Sequence, residues 1–103
     1  MSKIHNTKRW KRKSLAIRRK DKYMDVVALR FFNKRREGTM VHHIYPVDEY
    51  PEYAFCDWNL ITVSAETHNK LENRTTGELT ALGKMLQRYT PVGVDWRKKL
   101  RRN

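Results

Sequence analysis

The chain is expected to fold as a small α+β domain, a two-stranded hairpin and a helix with flanking helices and basic termini. Three observations predict this. Apolar residues recur at helical spacing over 24–31 and 79–86, two short β-prone segments lie at 39–44 and 59–63, and basic residues crowd both ends. With 103 residues there is room for one small core, and a formal net charge of +12 keeps part of the chain out of it.

The elements follow in order. Residues 1–20 contain nine Lys or Arg and no acid, so 1–13 reads as a basic N-terminal arm. Ser14 then caps a short basic helix ending near Lys20. Met24, Val27, Ala28 and Phe31 sit at i, i+3, i+4 and i+7, which predicts an amphipathic helix over 21–34. Glu37-Gly38 breaks it, and 39–44 forms a strand. Pro46 and Pro51, among Asp48, Glu49 and Glu52, make a long irregular loop. A second strand spans 59–63, and Ser64 caps a helix over 65–73. Thr75-x-x-Glu78 is a capping-box pattern opening another helix, with Leu79, Leu82, Met85 and Leu86 inside; it ends before Thr90-Pro91. The last stretch, 91–103, reads as a basic tail, leaving 14–90 as the folded domain.

The charge pattern points to a polyphosphate partner, with Trp10 and Trp96 interleaved among the cations. Lys8, Arg9, Lys11, Arg12, Lys13, Arg18 and Arg19 are the candidate backbone contacts from the N-terminal part. Arg35, Arg36, Lys70 and Arg74 flank the polar cluster described next, where they read equally as phosphate contacts or as solvated charge. No apolar run has the length of a signal peptide core or a spanning helix, so neither a secreted nor a membrane protein is expected. The single cysteine, Cys56, excludes an internal disulfide and a Cys-based zinc finger, and is expected as a small buried hydrophobe beside Phe55.

Three of the four histidines fall between His42 and His68. His43 ends the first strand, sixteen residues before Asn59 opens the second, so pairing of the strands brings the two together. The helix after Ser64 places His68 and, one turn on, Glu72 on one face. His42, His68 and Glu72 can then share one cation, leaving His43 as a base; Glu72 reads equally as a salt-bridge partner. Strand alternation sends His42 and His43 to opposite faces, so the strand has to end or bulge there for both to serve. His5 is expected to be an ordinary histidine of surface or core.

The runs Val41-His42-His43-Ile44-x-Pro46, Trp58-Asn59-Leu60-Ile61 and His68-Asn69-Lys70 resemble the HNH endonuclease family with its ββα-metal core. Glu49-Tyr50-Pro51-Glu52 and Arg74-x-Thr76-x-Glu78-Leu79-Thr80 are similar to the phage and prophage members found near DNA-packaging genes. The likeness runs from about Arg19 to Leu86. It implies that 14–90 is a nuclease domain hydrolysing double-stranded DNA to a 5′-phosphate and a 3′-hydroxyl. It further implies His42 and His68 as metal ligands, His43 as general base, and Asn59 as the residue pinning the loop that orients the base. The setting implied is the cytoplasm of a bacterial host, with terminase or other packaging proteins as partners.

Two departures stand out. Many relatives hold a structural zinc with two Cys-x-x-Cys pairs, whose positions here read Asp25-x-x-Ala28 and Ser64-x-x-Thr67; no structural zinc is expected, and apolar packing of 24–31 is expected in its place. Glu72 stands where many relatives carry a histidine, which favours Mg²⁺ or Mn²⁺ as the single cofactor, with Zn²⁺ or Ni²⁺ as alternatives. The rival reading is a non-catalytic DNA-binding or packaging-accessory protein with a degenerate core. A third, an RNA-binding basic protein, accounts for the charge and leaves the ordered polar set idle.

Overall fold

The computed structural model describes residues 3–101. After a 3-10 turn at Lys3–Asn6, the elements are α1 (Lys8–Lys20), α2 (Val26–Phe32), β1 (Met40–His43), β2 (Leu60–Val63), α3 (Ala65–Leu71), α4 (Ala81–Tyr89) and α5 (Trp96–Arg101). This is the α+β hairpin-and-helix arrangement the sequence predicts.

β1 and β2 pair antiparallel with Met40 opposite Val63 and His43 opposite Leu60, and both faces of the hairpin are covered. Trp10 and Ile17 of α1 pack on Val41 and Leu60. Ile61 and Val63, with Ile44 just past β1, pack on the other side against Val26, Val27, Leu71, Leu86 and Trp96. Alternation along β1 thus sends Val41 and His43 towards α1, and His42 towards α3.

The free edge of β2 is closed by side chains instead of a third strand. Leu60 O accepts from Arg97 Nη2 (3.0 Å), Thr62 N donates to Asp21 Oδ2 (3.0 Å), and Ser64 N donates to Asp25 Oδ2 (2.9 Å). An unpaired edge this short would otherwise bury backbone groups without partners. Burial pushes the Asp21 carboxyl up, against the pull of Arg97. Arg97, from the stretch read as a tail, therefore belongs to the body of the domain, as does Trp96, which is 1% exposed. Arg102 and Asn103 of that stretch, and Met1 and Ser2 of the arm, lie outside the described residues.

Several boundaries differ from expectation, each for a capping reason. α1 begins at Lys8 because the Thr7 side chain accepts from Trp10 N; Ser14 is inside the helix, and the boundary drawn at residue 13 falls within it. α2 is the core of the expected 21–34 helix, started by Asp25 and stopped by Asn33 in a left-handed cap. α3 ends at Leu71 instead of residue 73. The capping box at Thr75 does not form, because Asn73 Oδ1 accepts from Thr75 N and Thr76 N; Thr80 starts α4 by accepting from Gly83 N. Gly83 lies so close to α3 that a Cβ there would meet Leu71 O at 2.5 Å, which seats α4 just beside Glu72. Cys56 is only half-buried.

Asp25, Ala28, Ser64 and Thr67, the four positions expected to have lost zinc thiolates, meet around a carboxylate. Asp25 Oδ1 accepts from Ala28 N (2.9 Å), and Oδ2 accepts from Ser64 N (2.9 Å) and Ser64 Oγ (2.7 Å). Ser64 Oγ in turn caps α3 by accepting from Thr67 N. This hub joins the apolar packing of Val26, Val27 and Phe31 in tying α2 to α3. Burial alone would raise the Asp25 carboxyl, yet these donors hold it below its usual range. Asp25→Ala should destabilise the fold by about 3 kcal/mol, since several charge-assisted bonds go at once. Denaturant unfolding checks this; a loss under about 1 kcal/mol would mean water replaces the carboxylate at little expense.

Candidate active site

β1 and α3 bring the cation-binding candidates together. His42 is 1% exposed, and both its ring nitrogens are buried without a hydrogen-bond partner among the described residues. Its Nδ1 lies 3.3 Å from Glu72 Oε2, and His68 Nε2 lies 3.5 Å from the same oxygen. Glu72 is the C-cap of α3, its backbone already extended by pairing with Leu79, which turns the carboxylate back over the helix end. The ligand atoms of all three residues lie within 4.8 Å of one another.

This donor set fits a metal ion. Neighbouring ligands about 2.1 Å from one shared cation stand roughly 3.0–3.4 Å apart, close to the 3.3 and 3.5 Å from Glu72 Oε2 to the two imidazoles. A buried imidazole with neither nitrogen satisfied is costly unless something binds it. Burial would raise the Glu72 carboxyl, but the His42 and His68 imidazoles beside it outweigh that and hold the group well below the carboxylate range. Glu72 is thus an anion ready to ligate. Burial likewise lowers His42, keeping its imidazole neutral.

His43 faces the other way, its ring stacked on Trp10 at 4.8 Å. Its Nε2 is 3.1 Å from Ala54 O; a carbonyl only accepts, so Nε2 carries the proton and Nδ1 the lone pair. Burial is the main cause that takes the His43 pKa down to about 4, partly offset by that carbonyl. The ladder stays regular up to His43, so no bulge is needed. β1 ends there, and its open edge lets His43, His68 and Glu72 line one cleft of about 550 Å³.

Asn59 is fully buried and uses its amide fully. Oδ1 accepts from Tyr45 N (2.7 Å), while Nδ2 donates to Tyr45 O and Tyr53 O (both 3.1 Å). The amide thereby closes the loop that carries Ala54, whose carbonyl holds His43. Asn59→Asp, which cannot donate, should unlatch Tyr53 and lower stability, which a melting curve checks.

A proton-linked prediction follows from His43. Its folded pKa lies near 4, against about 6.5 in the unfolded chain, so the unfolded state takes up the proton first as pH falls. The contribution is full above pH 6.5 and is lost towards pH 4. Between pH 7.5 and 5 the metal-free protein should lose about 2 kcal/mol from this group, with His42 adding in the same direction. Denaturant unfolding at both pH values checks it. His43→Gln should flatten the dependence, and an unaltered slope would show that His43 is not buried neutral.

The candidate cations divide. Lys8, Lys11, Arg12 and Arg19 are exposed along α1, and Arg35 is exposed in the segment after α2. Arg9 lies over the Phe55 ring at 3.8 Å, and Lys70 over Phe32 at 5.3 Å. Lys13 is engaged with Asp57, which Lys20 also binds, and Arg36 with Glu66. Arg74 lines the main cleft; Arg18 lines a second cavity beneath α1. His5, expected as an ordinary histidine, is exposed, lies 5.6 Å from the His43 ring and lines both cavities. Sequence reasoning missed Ala54, whose contribution is a backbone carbonyl and leaves no residue-type signal.

A hairpin and helix presenting two histidines and a carboxylate to one point, with a third histidine alongside, is the ββα arrangement of the HNH fold. The chain is similar to the crystal structure of an HNH endonuclease from the deep-sea thermophilic bacteriophage GVE2, determined with a manganese ion. The match has a TM-score of 0.61 and 26% identity over 64% of this chain and 71% of that one. No family model matches the chain, and no curated protein does. Among the described residues, no helix is long and apolar enough to cross a membrane.

Proposed function

We propose that this protein is a metal-dependent HNH endonuclease that hydrolyses phosphodiester bonds of double-stranded DNA. The observation that carries the reading is the pairing of two half-sites in one cleft: a neutral histidine with a committed tautomer, and a His-His-Glu cluster with unsatisfied donors. His42, His68 and Glu72 hold the cation, which when bound neutralises charge developing on the phosphate and the leaving oxygen. The similar phage enzyme's manganese favours Mn²⁺ or Mg²⁺ here. His43 takes a proton from the attacking water on Nδ1, while the Ala54 carbonyl keeps Nε2 protonated and the ring still. Asn59 does no chemistry; it fixes the loop bearing Ala54. Attack in line with the 3′ oxygen leaves a 5′-phosphate and a 3′-hydroxyl.

The exposed cations of α1 hold the duplex backbone, with Arg35 and Arg74 nearer the cleft. Because Trp10 is built into the core, charge is better removed by substitution than by deleting 1–13. Changing Lys8, Lys11, Arg12 and Arg19 to Gln should weaken binding and flatten log K against log salt by about 0.9 for each phosphate no longer neutralised. An unchanged slope would show α1 to be a passive face. The motifs that resemble packing-associated phage members support a role in phage or prophage DNA processing, with terminase proteins as the partners that resemblance implies.

The deciding experiment is incubation of supercoiled plasmid with the protein in Mn²⁺ or Mg²⁺, in chelator, and with His43→Ala. Metal-dependent nicking that the variant lacks supports the enzyme. DNA binding without nicking under any divalent metal would favour the packaging-accessory reading.

A further inference from the structure

Among the α1 cations, Arg18 stands apart. Trp10, Ser14 and Arg18 fall at i, i+4 and i+8, one stripe of the helix, and line the cavity beneath α1 together with His43 and Glu72. The Nε of Arg18 is buried and meets no hydrogen-bond acceptor among the described residues. Arg97 shares a buried, unmatched Nε, but its terminal nitrogens pair with Asp21 and Asp95; Lys13 pairs with Asp57 and Arg36 with Glu66, whereas no carboxylate meets Arg18 among the described residues. The nearby Glu72 carboxylate is engaged with His42 and His68. A buried guanidinium N–H with no acceptor is unfavourable unless one arrives to meet it, and Arg18 as a whole is half-buried, so its fork can still be reached from the cavity.

We infer that Arg18 binds the phosphate under attack, an inference that rests on the nuclease reading. A guanidinium fork matches two non-bridging phosphate oxygens, and it would meet them from the α1 side while the His-His-Glu cluster acts from the α3 side. Charge grows on those oxygens as water attacks, so the contact strengthens towards the transition state. Arg18 therefore governs the rate of the chemical step, and the exposed row of α1 governs affinity.

Two measurements test this on the full-length protein. In the first, ¹⁵N-labelled metal-free protein is titrated with a short DNA duplex. The Arg18 Nε–H resonance, assigned by its loss in Arg18→Lys, should move saturably; no movement at saturating duplex overturns the inference. In the second, single-turnover cleavage in Mn²⁺ is compared for wild type, Arg18→Lys and Arg18→Ala. Both variants should be slowed about 100-fold, with duplex affinity and melting temperature little changed. Added guanidinium at a sub-denaturing concentration should partly rescue Arg18→Ala, which a merely structural role would not allow. Wild-type rates in both variants sink the inference and leave the nuclease reading intact. A moving Nε–H resonance in a protein that cleaves with no divalent metal overturns the nuclease reading and leaves Arg18 as a phosphate contact.

Discussion

His43→Ala is expected to slow DNA cleavage by about 10²–10⁴-fold, the usual worth of a general base, while DNA affinity stays near that of the native protein. The separation of effects follows from geometry. His43 is 6% exposed and turned inward on Trp10, whereas the cations proposed to hold the duplex are at the surface of α1. Removing the ring also leaves Ala54 O without its donor, at about 1–3 kcal/mol of stability. A melting curve must therefore accompany the kinetics. His43→Gln, which keeps an N–H donor but supplies no comparable base, provides the second arm. Rapid-quench single-turnover rates alongside anisotropy binding separate the two quantities. A variant that is folded and cleaves within a few-fold of wild type would remove His43 from the role of base.

The second large effect concerns the cation. Chelation is expected to suppress cleavage on the order of 10³-fold or more, since several kcal/mol of charge stabilisation go with the ion. The fold should persist in chelator with its far-UV circular dichroism intact. The two apolar clusters and the Asp25 hub hold the elements together without reference to His42, His68 or Glu72. The melting temperature should still fall, because an ion at a hundredfold excess over its Kd contributes about 2.7 kcal/mol. Loss of the circular dichroism signal would mean that the metal is structural. Glu72→Gln should raise the Mn²⁺ or Mg²⁺ concentration needed for half-maximal rate, a neutral amide being a poor ligand for a hard cation. An unaltered metal requirement would return Glu72 to an ordinary partner of His42 and His68.

The polar set was legible in the chain because its chemistry is carried by residue type and spacing. A His pair at the end of a β-prone run, an Asn opening the next strand and a His-x₃-Glu on a capped helix can hardly meet in any other way. The helix starts were less legible. Thr7, Ser14, Thr75 and Thr80 are all competent caps, and only the burial of Trp10 and the turn taken by Asn73 choose among them. Likewise, the polar character of Asp25 and Ser64 was plain in the sequence, but their meeting in a carboxylate hub was not. A single Asp serving donors from two helices has the same local signature as a simple N-cap.

What the sequence by itself determined is thus the α+β order of elements, the strongly basic balance, and the choice of His42, His43, Asn59, His68 and Glu72 as the candidate set, of which the fold brings His42, His68 and Glu72 within reach of one cation. These are local quantities: periodicity, composition, and side-chain type at short spacing. Tertiary structure alone decided the tautomer of His43 through Ala54 O, the approach of His5 to that ring, and the closing of the β2 edge by Asp21 and Arg97. It also turned Arg18 away from the exposed row of α1 and into the cavity. Each of these is a contact between groups distant along the chain, or one made by a backbone atom that every residue shares. Its energy exists only once the packing has brought the partners together.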